Sequence, residues 1–238
     1  MTERPTAREL AGLRFPGLDP ARPTAEQIHE SLRSAILSTA LAPGCLVSET
    51  EIGLKFGASR TPVREAFALL RDDGLIVTRP SRGNYVSKLS EHDIRQAQFL
   101  REGLELATVR RLCETGIAPD LRIALEDCLT AQADAVAQDD NGAFQHQDNE
   151  FHILLARATG YPRAETLLVR EKAALDRLRV LALSPARHKG RLLDEHRNIL
   201  TAILDRDVER TLAVTRTHLR SILNVLSRLI TENRDFFA

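Results

Sequence analysis

The chain has 238 residues, 43% hydrophobic and 28% charged, with 33 Lys+Arg balancing 33 Asp+Glu and only eight Phe, two Tyr and no Trp. This composition excludes a disordered tail and favours helix over a β-sandwich. No apolar run reaches the ~20 residues of a membrane span, and Met1–Leu10 lacks the apolar core of a secretion signal. Cys45, Cys113 and Cys128 are odd in number and form no CxxC. A disulfide scaffold and a Cys-based zinc finger are therefore excluded, and a reducing cytoplasm fits.

The zero net charge hides a local imbalance. Between residues 55 and 88, seven basic side chains face three acids (Glu65, Asp72 and Asp73). Such an excess matters only where the cations share one surface.

Residues 1–23 carry Pro5, Pro16, Pro20 and Pro23 with little periodicity, and predict a flexible arm. Thr24-Ala-Glu-Gln27 has the spacing of a capping box, and Ile28, Leu32, Ala35 and Ile36 continue at helical spacing. Pro43-Gly44 ends that helix. A second capping box, Ser48-Glu-Thr-Glu51, opens a short helix that Gly57 closes. Thr61-Pro62 reads as an N-cap and first helical residue. Val63, Ala66, Phe67 and Leu70 make one apolar stripe, and Gly74 stops the helix. Residues 75–79 and 84–87 around Pro80-Ser-Arg-Gly83 predict a two-stranded hairpin. Three short helices and a hairpin over 24–88 outline a winged helix-turn-helix.

Ser87-Lys-Leu-Ser90 reads as a domain junction, with Ser90 capping the next helix. Beyond it, over 89–238, the strand signal vanishes. Helices are predicted near 91–114, 118–138, 141–159, 161–182, 187–205 and 207–231. Their breaks fall at Gly116/Pro119, Asp139–Gly142, Gly160/Pro162, Ser184/Pro185 and Asp205–Asp207. The expected fold is mainly α: a winged helix-turn-helix followed by an all-α antiparallel bundle of six or seven helices.

Two constellations carry chemistry. In the third helix, Arg64 points away from the buried stripe, Arg60 precedes it, and Ser59 and Thr61 flank the helix start. Guanidinium groups, hydroxyls and free N–H groups at one exposed helix end suit phosphate contacts and bidentate readout of guanine. Arg82-Gly83 at the hairpin tip can reach the adjacent groove or backbone. A solvated basic face on a structural unit is the plainer alternative.

In the bundle, Asp148 and His152 share one helix face with Phe144, Phe151 and Leu155. His196 lies among Leu192, Leu193, Ile199, Leu200 and Ile203, and His218 among Val214, Ile222 and Val225. A buried carboxylate is costly alone. A divalent cation would neutralise it and take the imidazoles as neutral ligands, while satisfied core histidines remain the alternative. An N₃O donor set suits Zn²⁺ first, with Ni²⁺ or similar ions also accommodated.

Ala42-Pro-Gly44, Ser48-Glu49, Gly57, Ser59-Arg-Thr-Pro-Val-Arg-Glu-Ala66, Leu69-Leu70, Gly74-Leu75 and Arg82-Gly-Asn-Tyr-Val86 resemble the N-terminal domain of the GntR family of bacterial transcription regulators. The helical remainder resembles the FadR-type branch with its FCD ligand-sensing domain, over roughly 24–231 in all. The resemblance implies a cytoplasmic, ligand-responsive regulator, expected to be a repressor and not an enzyme. It implies a homodimer on an inverted-repeat operator of double-stranded DNA. It matches Arg60 and Arg64 to base- or phosphate-binding arginines, Ser59 and Thr61 to hydroxyl contacts, and Arg82 and Gly83 to the wing tip. Thr50 stands where some members carry a DNA-contacting Arg, so the operator need not be shared. Asp148, His152, His196 and His218 match the metal site of many FCD domains. The acyl-CoA-binding branch lacks that set, so a fatty acyl ligand is not implied. A small carboxylate effector is expected to complete the metal shell. By resemblance Arg101 pairs with that carboxylate; a surface ion pair with Glu105 is its alternative.

A metalloenzyme and a merely structural ion are the competing functions. Against the first, no HExxH occurs. The only ExxH spacing, Glu26 to His29, lies outside the bundle.

Overall fold

The computed structural model describes residues 10, 12–182 and 186–238. They form two compact units, one of residues up to Ser90 with Asn233–Ala238, the other Glu91–Glu232.

The first unit comprises α1 (Thr24–Leu37), β1 (Leu46–Val47), α2 (Glu49–Phe56), α3 (Arg60–Asp72), β2 (Ile76–Arg79) and β3 (Gly83–Val86). Helical spacing turns Ile28, Leu32 and Ile36 of α1 and Val63, Ala66, Phe67 and Leu70 of α3 into one core with Ile52 and Val86. Ser48 caps α2, its hydroxyl accepting from Glu51 N at 3.4 Å, and Gly57 ends the helix in the left-handed region at φ 61°.

Four expectations change. The sheet has three antiparallel strands in the order β1-β3-β2, with Leu46 and Val77 both opposite Tyr85. A two-residue strand is too short to leave a period-2 signal. Thr24 does not cap α1, because Pro23 is the N-cap residue. Gln27 instead takes Asp19 N at 2.8 Å and donates to Asp19 O and Arg22 O. Ser59, not Thr61, precedes α3. Pro62 then falls within the first turn, where no intrahelical donor is required of it. Nor is the described part of the N-terminal segment a free arm. Leu10 is buried in this core, with Leu13, Phe15 and Leu18 packed against it. The Phe15 ring stacks on Phe56 at 4.7 Å, and Lys55 donates to Leu13 O at 3.1 Å. Residues 1–9 and 11 lie outside the description.

The chain's last residues also belong to this unit. Leu89 N donates to Phe236 O and Ala238 N to Leu89 O, both at 2.8 Å, and Lys88 Nζ reaches Phe237 O at 3.1 Å. A boundary drawn from sequence at residue 88 assigns them to the bundle instead.

Among its described residues the second unit's regular elements are helices: α4 (Glu91–Thr115), α5 (Pro119–Ala137), α6 (Asn141–Ala158), α7 (Pro162–Ala182), α8 (Ala186–Leu204) and α9 (Val208–Glu232). Pro119 opens α5 and the Asp140 carboxylate caps α6 by accepting from Ala143 N at 2.9 Å. The expected break at Ser184/Pro185 lies outside the described residues. Helix α4 packs against α7 and α9, and α5 against α6. Their apolar stripes meet in a core that includes Leu112, Leu125, Phe144, Phe151, Leu155, Ile199 and Leu200. Among the described residues no helix is long and apolar enough to cross a membrane.

Candidate functional site

In the first unit, Ser59 sits in extended conformation before α3 and makes no side-chain capping bond, and the first turn of α3 holds no acid. The free N–H groups at that helix end thus keep their positive potential. Ser59, Arg60, Thr61 and Arg64 are all exposed around it. Arg82 and Gly83 are exposed at the turn between β2 and β3. Gly83 has φ +103°, and an added Cβ would come within 3.0 Å of the Leu46 side chain, so this corner of the wing requires glycine. The Tyr85 hydroxyl donates to Arg82 O at 3.1 Å, while the Arg79 guanidinium lies 4.8 Å over the Tyr85 ring. Arg79 is thereby held on the wing, while Arg82 is exposed at its turn. Thr50 is exposed in the first turn of α2.

In the second unit, His152, His196 and His218 arrive from α6, α8 and α9, all buried, with one nitrogen of each within 4.8 Å of the others. Each ring is held at its Nδ1. His152 Nδ1 meets Glu105 Oε2 at 2.6 Å, His196 Nδ1 meets Gln132 Oε1 at 2.8 Å, and His218 Nδ1 meets Glu195 Oε2 at 2.8 Å. The Gln132 amide is oriented by its NH₂, which donates to Gln147 O, so its oxygen faces His196. Carboxylate and amide oxygens accept, so each Nδ1 carries a proton, and in the neutral ring Nε2 then presents a lone pair. The three Nε2 atoms turn toward one another, 3.3 Å from His196 to His218 and 3.2 Å from His218 to His152. Lone pairs at such distances repel unless a cation stands among them. Burial pushes the His218 pKa down to about 3, which keeps that imidazole neutral and ready to ligate.

Asp148, one turn before His152, reaches the cluster with one oxygen. Its Oδ1 lies 3.5 Å from His196 Nε2, while its Oδ2 accepts from Arg179 Nη1 at 2.5 Å. The donor set is thus three imidazole nitrogens with a carboxylate oxygen beside them, a fit for a divalent ion. His146 lies on the same helix outside this cluster, and His29 pairs with Asp73 in the first unit.

Arg101 is fully buried, and its Nε donates to Glu105 Oε1. Its pairing with Glu105 is therefore not a surface ion pair. Burial, with Arg179 nearby, lowers the pKa of the guanidinium, and its Nη1 and Nη2 have no hydrogen-bond partner among the described residues. Buried guanidinium donors of this kind are costly unless something accepts from them. Beside the cluster, a small cleft with a volume of about 30 Å³ is lined by Phe144, Asp148, Arg179, His188, His218 and Ile222 among others.

Four residues of this arrangement escape a reading of the sequence: Glu105 as a histidine partner, Gln132, Arg179 and Glu195. Gln132 has a legible signal, as a polar residue on the buried stripe Leu125, Cys128, Leu129 and Ala135. Arg179 lies 31 residues from Asp148 and has none.

Comparison with known proteins accords with both units. Residues 24–86 match "Bacterial regulatory proteins, gntR family" and residues 96–221 match the FCD domain. The HTH-type transcriptional repressor RspR of Escherichia coli (strain K12) is 34% identical over 221 residues, covering 93% of this chain and 96% of that one. Among solved structures, E. coli McbR/YncC aligns with a TM-score of 0.75 at 17% identity, over 86% of this chain and 97% of that one. A putative GntR regulator from Rhodococcus sp. RHA1 aligns with a TM-score of 0.74 at 24% identity, over 85% and 97%. At such identities these two speak for the fold, whereas RspR and the domain matches speak for kinship. The chain therefore belongs to the GntR family of bacterial regulatory proteins: it is a DNA-binding transcription regulator carrying an FCD domain, not an enzyme.

Proposed function

We propose that this regulator is a cytoplasmic, homodimeric repressor whose FCD domain holds a divalent metal and a small carboxylate effector that together set its operator affinity. Asp148, His152, His196 and His218 hold the metal, Zn²⁺ in the first instance with Ni²⁺ or a similar ion as alternative. Arg101 pairs with the carboxylate. Ser59, Arg60, Thr61 and Arg64 with the wing residues Arg82 and Gly83 meet the DNA, one set per half-site of an inverted repeat. The observation that carries the reading is the turning of three buried Nε2 atoms toward one point, each ring held at its Nδ1, next to an arginine with unaccepted donors. The repressor sense is supported by the name of RspR. A second copy is supported by the apolar face that α4 exposes at Phe99 and Leu100, 77% and 51% accessible.

An effector changes operator affinity only by binding the DNA-competent and incompetent arrangements unequally. The deciding experiment titrates operator DNA with metal-loaded and chelator-treated protein, each with and without a panel of small carboxylates. A carboxylate that shifts the operator curve of the loaded protein alone supports metal-linked sensing. An identical shift after chelation leaves the ion a scaffold only. The partners at Nδ1 provide a further check. Gln132→Leu removes the acceptor that orients His196 and is expected to weaken metal binding by about 10–100-fold, measured by competition with a chromophoric chelator. Unchanged affinity would remove Gln132 from the site.

A further inference from the structure

We infer that Glu49 is a positioning residue for DNA recognition: acting through Asn84, its carboxylate ties the wing to the start of α2, so that Arg82 meets the duplex in one orientation. The inference rests on the reading that Arg82 contacts DNA. The wing is short. β2 and β3 hold four residues each, and a two-stranded hairpin by itself is marginally stable in water. β1 reaches along β3 no further than Asn84, so among the described residues no third strand flanks the last pair before the turn, Arg79 with Gly83. Backbone pairing alone therefore sets the direction of the turn loosely.

Side chains supply the rest. Alternation along β3 sends Tyr85 to one side and Asn84 to the other. On the Tyr85 side, the bond to Arg82 O and the contact with the Arg79 guanidinium both stay within the hairpin. They stiffen the wing without attaching it. On the Asn84 side the contacts lead out of it. Thr78 stands directly opposite Asn84 on β2, and its hydroxyl donates to Asn84 Oδ1 at 2.6 Å. Asn84 Nδ2 donates in turn to Glu49 Oε1, in the first turn of α2, at 3.2 Å. A carboxylate can only accept, so the amide has one workable orientation, and that orientation also suits Thr78. Glu49 follows the N-cap Ser48 at a helix start, where the helix dipole favours an acid. Thr78, Asn84 and Glu49 thus form one polarised chain from the outer strand of the wing to the helix-turn-helix.

Such a chain does little for folding. Thr78 is exposed and Asn84 and Glu49 are half-buried, so water can replace each partner. The unit's stability resides in its apolar core, to which none of the three belongs. Its use is preorganisation: a wing already held in place loses less freedom when the duplex binds. The charge of Glu49 makes this role separable from simple electrostatics. An acid on a DNA-binding unit repels phosphates. Deleting it would tighten binding if charge were its whole effect, and weaken binding if it holds the wing.

The test is a double-mutant cycle on full-length protein, read by gel-shift titration of operator DNA. Glu49→Ala and Asn84→Ala are each expected to weaken binding by about threefold to tenfold, with the melting temperature nearly unchanged. Glu49→Gln keeps an acceptor for Asn84 and is expected to retain most of the affinity. Arg82→Ala is expected to cost less in the Asn84→Ala background than in the wild type, because a displaced wing has already lost that contact. Arg64→Ala, on α3, is expected to cost the same in both backgrounds. Should Glu49→Ala fold poorly by circular dichroism, Asn84→Ala and the cycle decide alone. Strictly additive losses for Asn84→Ala and Arg82→Ala overturn the inference while leaving Arg82 its contact, and so does Glu49→Ala binding as tightly as the wild type or more so. If Arg82→Ala alone changes nothing, the wing contact itself falls, and this inference with it.

Discussion

His196→Ala is expected to take bound divalent metal from stoichiometric to undetectable by elemental analysis. The imidazole is fully buried, its Nε2 is 3.3 Å from that of His218, and its Nδ1 is held by Gln132. Alanine deletes one of three nitrogen donors and leaves Gln132 Oε1 without its donor. The same change also removes the stacking of the ring on Phe151, whose centroid is 4.6 Å away, and opens a cavity, so the apo protein itself loses stability. The informative quantity is accordingly the difference in melting temperature between loaded and chelated forms of each variant, in which packing losses cancel. A metal present at about 1,000 times its dissociation constant stabilises the native state by about 4 kcal/mol. That difference is expected in the wild type and absent in His196→Ala. Phe151→Leu serves as the control, losing the stack but keeping the metal-dependent shift. Full metal occupancy in His196→Ala, or an undiminished shift, would falsify the ligand assignment.

Much of this architecture is legible in the sequence because its signals are local. The spacing of Val63, Ala66, Phe67 and Leu70 defines the buried side of α3, and thereby the outward direction of Arg64. Asp148 and His152 are one turn apart on the stripe of Phe144 and Phe151, and His196 and His218 sit on apolar stripes of their own. A polar group on an apolar stripe is an anomaly that periodicity exposes. What stays hidden depends on pairings between helices. Glu105 lies 47 residues from His152, Gln132 lies 64 from His196, and Glu195 lies 23 from His218. No spacing rule connects such positions. Arg101 is visible near an inner stripe, but its complete burial depends on how α7 and α9 pack on α4. Glu105 has the spacing of a surface partner for Arg101, yet it is buried and bridges Arg101 to His152. In the first unit, the prolines of residues 1–23 point to flexibility. The apolar Leu10, Leu13, Phe15 and Leu18 between them are the better guide, since four such side chains are too much to leave in water.

The second large effect belongs to the basic end of α3. Arg64→Ala is expected to weaken specific operator binding by about 1–3 kcal/mol. The double variant Arg60→Ala/Arg64→Ala is expected to lose more, though less predictably than the sum, since the two residues are one turn apart and share a ligand. Their positions assign them different work. Arg60 is the first residue of α3, at the helix terminus where backbone N–H groups attract phosphate. Arg64 is one turn further along the exposed face, where a recognition helix meets base edges. A lost phosphate contact lowers specific and non-specific binding together and reduces the slope of log K against log salt by about 0.9. A lost base contact leaves the salt slope and non-specific affinity in place and relaxes specificity at one position. Arg60→Ala is therefore expected to move the salt slope, and Arg64→Ala the ratio of specific to non-specific affinity. Arg71→Ala, in the last turn of the same helix, removes an equal charge far from that end and is expected to change neither. Gel-shift titrations at several salt concentrations, on operator and scrambled DNA, separate these outcomes. Equal small losses in all three variants would mean that charge alone matters and that α3 reads no sequence.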